Sequence, residues 1–243
     1  MQFNKTNNVA KRPAFRHEKQ NLMFTTDKHH NIPEPTLRRL PWYLAYAKLI
    51  DGQGEQYLSS TQIARNIAVD SSVVAKDLSY VAIKGRTKVG YVVKDLIAVL
   101  DNFLGFTNTH RAFLFGVGSL GGSLLHDSGL TQFGLNIVAG FDAKYELSGT
   151  SINHTPIHHI ERFMELQSKM NVEIGVLAVP VERAQEVADM MIKGGIKAIW
   201  NFTPFRIRVP EHIVVQNTSI YAHLAVMFNR LAEMNAKNVT TKP

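Results

Sequence analysis

The 243-residue chain contains no cysteine, which excludes disulfides, zinc ribbons and thiol redox chemistry. It has no apolar run near the ~18 residues that a membrane span needs. Its first residues lack the apolar segment of a secretory signal. All three absences fit a cytoplasmic setting and leave no membrane partner. Charge is scarce and leans one way, with 27 Lys+Arg against 20 Asp+Glu for a net +7. Of that excess, +4 sits in residues 1–31, which carry six Lys/Arg and two Asp/Glu. The rest is only mildly basic, so a nucleic-acid surface has to be sought in local clusters. No nucleophile–base pattern stands out, and no catalytic residue is assigned. His154, His158 and His159 cluster, but without cysteines and with few carboxylates nearby they read as a surface group on a loop and helix start, with no metal site.

What is present divides into two modules and a tail. Residues 1–31 are polar, Asn/Lys-rich and aperiodic, as in a disordered basic tail. From Ile32, "IPEPTLRRLPWYLAYAKLI" places Leu37, Leu40, Tyr43, Leu44 and Ala47 at helical spacing, with Pro41 as an expected kink or restart. Ser59 or Ser60 caps a second helix over "SSTQIARNIAVD". Ser71 or Ser72 caps a third, on which Val74, Leu78 and Val81 turn inward while Ser72, Ala75, Lys76 and Ser79 face out. "KGRTKVGYVV" reads as a two-stranded wing between Gly85 and Gly90, and "KDLIAVLDNFLGF" as a fourth helix closed by Gly105. Three short helices and a basic wing describe a winged helix-turn-helix over residues 32–106. Ser71–Tyr80 would then enter a major groove. Ser71, Ser72, Ser79 and Tyr80 line that helix, and Lys76 serves bases or phosphate. Lys84, Arg86 and Lys88 suit a minor groove or its backbone.

Over residues 107–218 strands and helices alternate: Ala112–Val117, Leu120–Ser128, Asn136–Phe141, Glu161–Met170, Val172–Val179, Ala184–Lys193 and Ala198–Phe202, with a last strand near Val214–Val215. Nearly continuous apolar strands between amphipathic helices imply an α/β, Rossmann-like parallel sheet covered on both faces. Within it "FGVGSLGGSLL" sets Gly116, Gly118 and Gly121 at G-x-G-x-x-G spacing between a strand and a helix. Gly116 permits the tight turn, Gly118 lets a pyrophosphate approach, and Gly121 allows close helix–strand packing. The backbone of Val117, Ser119 and Leu120 completes the phosphate cradle. Asp142 ends the next strand 21 residues after Gly121. A carboxylate there accepts from ribose hydroxyls and repels a 2′-phosphate, favouring NAD over NADP. Ile220, Leu224, Phe228 and Leu231 form an apolar stripe on a final helix over residues 219–235.

In order along the chain, "IPEPTLRRLPWYL", "VAKDLSY", "VGY", "GVGSLGGSLL", "VAGFD", "LAVP", "GGIKAIWNFTP" and "VVQNTSI" resemble the blocks of the Rex family of redox-sensing transcriptional repressors. The resemblance covers Ile32 to about Leu231. It implies a homodimeric repressor that holds double-stranded operator DNA when NAD⁺ dominates and releases it when NADH binds, with the last helix swapped onto the partner. The chain departs from the family at four places. Ala75 replaces an Arg of the recognition helix, and the wing reads Gly85-Arg86-Thr87-Lys88. Asp127 stands where a Tyr is common, and Ser219 where an Asp is. On this reading the cofactor is a message rather than a reagent, and no substrate domain is needed. An apolar pocket from Ala178, Val179, Pro180, Phe202 and Ile220 of the partner subunit favours neutral dihydronicotinamide over the cation. Asn201 and Thr203 are expected to orient the ring amide. The competing readings are a small NAD-dependent dehydrogenase with an accessory N-terminal domain, a CoA-binding domain and a structural protein with a vestigial nucleotide fold.

Overall fold

Pro35 opens α1 (Glu34–Gly52), where a missing N–H has no helical partner to lose. The computed structural model, which describes residues 32–240, carries α1 straight through Pro41 without the expected restart. Leu37, whose carbonyl loses its N–H partner to the ring, lies on the exposed side of the helix. The basic tail expected over 1–31 lies outside the described residues.

Next come β1 (Tyr57–Leu58) and α2 (Ser60–Ile67), the latter opened by a capping box. Ser59 Oγ accepts from the Gln62 amide at 3.2 Å, and Gln62 Oε1 accepts from the Ser59 amide at 2.8 Å. Ala68, left-handed at φ 56°, ends α2. The third helix, α3 (Ser71–Ser79), corrects the expected cap. Asp70 is its N-cap, and the Asp70 carbonyl takes the amides of Val73 and Val74, so Ser71 and Ser72 are first-turn residues. The wing is also smaller than expected. Arg86 and Gly90 exchange backbone bonds of 2.7 and 2.9 Å around a turn with Lys88 at φ 64°. The paired strands are instead β1 and β2 (Tyr91–Val92), with Tyr57 opposite Val92. α4 (Val93–Phe103) completes the domain, and Gly105 at φ 76° turns the chain out of it. Leu40, Tyr43, Leu44, Ala47, Leu78 and Leu96 form its buried centre.

The second half builds β3 (His110–Phe115), α5 (Ser119–His126), α6 (Ser128–Gln132) and β4 (Leu135–Asp142). Then follow β5 (Ser151–Ile152), β6 (Thr155–His159), α7 (Phe163–Met170) and β7 (Ile174–Leu177). The last elements are α8 (Ala184–Lys193), β8 (Ala198–Asn201), β9 (Val214–Asn217) and α9 (Ile220–Thr240). The sheet order is β5-β6-β4-β3-β7-β8-β9, parallel throughout except for the β5–β6 edge pair. Without β5, the chain order across the sheet is 3-2-1-4-5-6, the doubly wound dinucleotide-binding order. The period of two is plain on β3. Phe113 and Phe115 pack with Phe141 and Phe163 on one face, while Ala112 and Leu114 join Val117 and Leu125 on the other. His158 and His159 lie on β6 rather than on a loop and helix start, because pairing with β4 draws them into the sheet. The order reverses between β3 and β7, so their carboxyl ends flank a crevice.

Candidate functional site

At that crevice the glycine turn has three sterically distinct positions. Gly116 has φ 92°, and a Cβ there would come within 2.5 Å of the Ala178 carbonyl oxygen. A Cβ on Gly121 would drive into the carbonyl of Gly116, so only glycine lets α5 sit this close to the turn. Nothing lies within 4 Å of a Cβ on Gly118, which faces open space. Gly118 is also the N-cap of α5, so the amides of Ser119 and Leu120 stand at a helix start with no side-chain cap. A bound pyrophosphate fits that cradle. Asp142 Oδ2 accepts from the Val117 amide at 2.7 Å, and Oδ1 accepts from the Lys144 amide at 2.9 Å. The carboxylate thus ties the turn to the end of β4, and each oxygen keeps acceptor capacity for a ribose.

Two clefts meet on a ridge formed by Val179 and Pro180. One, of about 280 Å³, is lined by Gly116, Asp142, Ala143, Ile160 and Val187. The other, of about 350 Å³, is lined by Leu120, Ala178, Phe202, Thr203 and Ile220. Val179 and Pro180 line both. Larger clefts of about 450 and 440 Å³ lie beside Tyr57 and beside α6. Neither borders the glycine turn, and chemistry rather than size selects the divided pair. No Asp, Glu, Lys or His lines the second cleft. Ile220 of the chain's own α9 lines it. Asn201 is corrected from a ligand contact to a brace. It is fully buried, its amide nitrogen donates to Phe205 O and Asn217 Oδ1 at 2.8 Å each, and its oxygen accepts from the Thr203 amide and hydroxyl. No donor remains for a nicotinamide. Thr203 remains at the cleft, with its hydroxyl proton turned to Asn201 at 2.7 Å.

On the winged helix, Ser71, Ser72, Lys76 and Ser79 are exposed, Tyr80 is half-buried, and Lys84, Arg86 and Lys88 are exposed on the wing. The Ser79 hydroxyl donates to the Lys76 carbonyl at 2.6 Å, so it offers a groove only its acceptor side, and the expected phosphate donation from it is withdrawn. Arg86 Nη1 donates to the Tyr57 hydroxyl at 3.0 Å and its guanidinium lies 5.6 Å from that ring, an arrangement that fixes the side chain's direction.

Sequence reasoning missed what holds α3 in place. Asp77 faces inward, 3% exposed, and both its oxygens are committed. Arg39 bonds them bidentately at 2.7 and 2.8 Å, the Tyr43 hydroxyl at 2.5 Å and the Thr36 hydroxyl at 2.8 Å. Burial by itself raises the Asp77 carboxyl. The bonds from Arg39, Tyr43 and Thr36 together outweigh it and hold the group below the ordinary carboxylate range. Burial, then the bond to Asp77, pushes the Tyr43 phenol well above its ordinary value. The signal was available, since Asp77 sits at i+3 from Val74 and beside Leu78, on the buried side of the helix.

An outward-facing helix-turn-helix fused to a doubly wound sheet with a divided nucleotide cleft defines a ligand-responsive DNA-binding regulator. The family description "Putative DNA-binding protein N-terminus" matches residues 31–79, and "CoA binding domain" matches residues 107–205. The chain is 66% identical over 200 residues to the redox-sensing transcriptional repressor Rex of Bacteroides fragilis, covering 82% of this chain and 91% of that protein. To the Rex of Porphyromonas gingivalis it is 61% identical over 203 residues, covering 84% and 93%. RSP, solved in complex with beta-NAD+ and operator DNA, matches with a TM-score of 0.80 at 27% identity, covering 88% of this chain and 99% of that one. RSP in complex with beta-NADH matches at 0.78 and 27%, covering 86% and 99%. The chain belongs to the Rex family of redox-sensing transcriptional repressors. Its relatives are repressors, not enzymes, and the dehydrogenase reading gives way to theirs.

Proposed function

We propose that this chain binds operator DNA as a homodimer in the cytoplasm and leaves it when NADH replaces NAD⁺. The observation that carries this is the divided cleft at the glycine turn, in one chain with an α3 that presents Ser71, Ser72 and Lys76 to solvent. Gly116, Val117, Gly118, Ser119, Leu120 and Gly121 cradle the pyrophosphate, and Asp142 holds a ribose. Ala178, Val179, Pro180, Thr203 and Ile220 surround the nicotinamide. That lining has no carboxylate to compensate a cationic ring, so desolvation disfavours NAD⁺ against neutral NADH. Nor does it offer an Asp, Glu, Lys or His as acid or base for hydride transfer, which speaks against a dehydrogenase.

The dimer reading rests on α9. Eight of its large apolar side chains are exposed, among them Ile220, Leu224, Met227, Phe228 and Leu231. Burying one such side chain contributes about 1.5–3 kcal/mol, so a second copy that covers this helix gains more than ten in gross terms. An exposed apolar stripe of this size marks an interaction surface, and a second copy is the cover proposed. The test is a titration of the protein on its own upstream DNA, with NADH and NAD⁺ added in turn. Release by NADH and retention with NAD⁺ are expected. Equal retention with both defeats the proposal.

A further inference from the structure

The winged helix meets the nucleotide domain at a corner built around Phe133. Its ring packs edge-on against Phe106, with centroids 5.0 Å apart, and the Lys48 ammonium lies 5.9 Å from its centre. Lys48 belongs to α1 and pairs at 2.9 Å with Asp101 of α4, so one aromatic side chain engages the linker and, through one ion pair, both long helices of the winged helix. Gly134, at φ 82°, presses against the linker so closely that a Cβ would collide with the Asn108 carbonyl. The Gly134 carbonyl in turn accepts the His110 amide at 2.7 Å.

The other side of this corner leads to the glycine turn. α5 runs from Ser119 to His126 behind its N-cap Gly118, and Asp127 follows at once as the N-cap of α6, accepting from the Gly129 amide at 2.8 Å. α6 has five residues, none of them buried, and flanks the cleft of about 440 Å³ bordered by Asn136, Asn153 and Thr155. Its half-buried Leu130 packs against the cluster that holds Leu125 of α5, which couples α6 to the end of that helix, while Phe133 is held by Phe106 and Lys48 and Gly134 by the linker and β3.

We infer that the α6–Phe133 corner carries nucleotide occupancy to the winged helix within one chain, with Phe133 as the positioning residue that sets how α3 is presented. A change at the phosphate-binding end of α5 moves its far end, and α6, coupled to α5 through Leu130 and Leu125, delivers that movement to Phe133, Lys48 and the linker. The inference rests on the proposed NADH response and adds to it the element that couples the two sites.

The test uses the full chain and three measurements: NADH affinity without DNA by calorimetry, operator affinity without nucleotide, and operator affinity under saturating NADH. In the unaltered protein NADH weakens operator binding by about 5- to 150-fold. Phe133→Ala removes a half-exposed ring and leaves both cores whole. It is expected to bring that ratio below about threefold while NADH affinity stays within about twofold. Phe133→Tyr, which keeps the ring under Lys48, retains the ratio, and Lys48→Met, which carries the test should Phe133→Ala fold poorly, reduces it. A Phe133→Ala protein that loses operator affinity equally with and without NADH overturns the inference, because the ring is then only structural. So does one that responds like the unaltered protein. An unaltered protein that keeps its operator under NADH overturns the functional proposal, and this inference with it.

Discussion

Replacing Asp77 by Asn keeps the side chain's shape and removes its charge, which isolates what the carboxylate does for the recognition helix. Four donor contacts converge on two oxygens: two from Arg39, one from Tyr43 and one from Thr36. An amide offers one acceptor oxygen and puts an NH₂ where the other stood, so donor faces donor on one side. Breaking a buried ion pair by removing one partner costs about 3–5 kcal/mol. Arg39 is 28% exposed and recovers some hydration, which points to the low end, about 3 kcal/mol. That is roughly a 100-fold loss in the folding equilibrium of the winged helix. Hydrogen exchange read by peptide is the assay: α1 and α3 should lose protection by about that factor while β3 and β7 do not. Operator affinity falls because α3 loses its tie to α1, and NADH affinity is unchanged. A variant within about 0.5 kcal/mol of the parent in α1 and α3 refutes the reasoning, since that is the ordinary scatter of surface substitutions. The pH dependence has a definite sign. The folded-state carboxyl is depressed, so its contribution is complete above the unfolded value near 3.9 and is lost as pH falls through the lower folded value. The gap between parent and Asp77→Asn should be flat from about pH 5 to 8 and close in stronger acid.

Lys76→Ala should weaken operator binding by about 1–3 kcal/mol and relax specificity at one base position, as read by competition with altered operators; unchanged affinity removes Lys76 from the interface. Arg86→Ala and Lys88→Ala should weaken all sequences alike and each lower the salt slope by about one. Asp142→Ala should weaken NADH, by loss of both the ribose acceptor and the tether to Val117, and narrow the preference over NADPH. Calorimetry showing that the parent already binds NADPH as tightly as NADH refutes the role given to Asp142. Truncation before Ser219 should give a monomer with weak operator binding by sedimentation and titration, and a truncated dimer that still answers to NADH contradicts the place given to α9.

The glycine turn was legible because Gly116 and Gly121 are each required by a different close approach and Gly118 leaves open space, and a strand before it with a helix behind it is enough to assign them. The outward face of α3 was legible because a period of 3.6 with Val74, Leu78 and Val81 inside leaves Ser72, Lys76 and Ser79 outside. What was not legible depends on partners far along the chain. Asp77 and Arg39 are 38 residues apart, and periodicity places each without pairing them. The β1–β2 ladder has two residues per strand, too short for alternation to register. Thr155–His159 carries a proline and two histidines, a composition that argues against a strand, and only its neighbours β4 and β5 make it one. Asn201 was expected at the ligand but is fully buried and lines neither cleft. Its amide could serve a ligand or the backbone, and which it serves is decided by the return of the chain at Phe205 and Asn217.

A sensor of this kind works within narrow energetic limits, and the domain junction is built on that scale. The difference in grip that a nucleotide exerts on two arrangements is about 1–3 kcal/mol. Parting a fully apolar interface of 400 Å² costs about 10 kcal/mol at 25 cal/mol per Å², more than that difference can offset. Among the described residues the junction includes a short linker after Gly105, a half-exposed Phe133 on Phe106 and one ammonium above the ring. On either side the cores are tightly built: Leu40, Tyr43 and Leu78 in the winged helix, and Phe113, Phe115, Phe141 and Phe163 in the sheet, are fully buried. Close-packed cores resist small deformations, so a displacement arriving at the junction is taken up as rotation of one body against the other. The contrast with α9, which carries eight exposed large apolar side chains, is one of scale. A dimer needs many kcal/mol to persist at low concentration, whereas the hinge that the nucleotide moves must be held by very few.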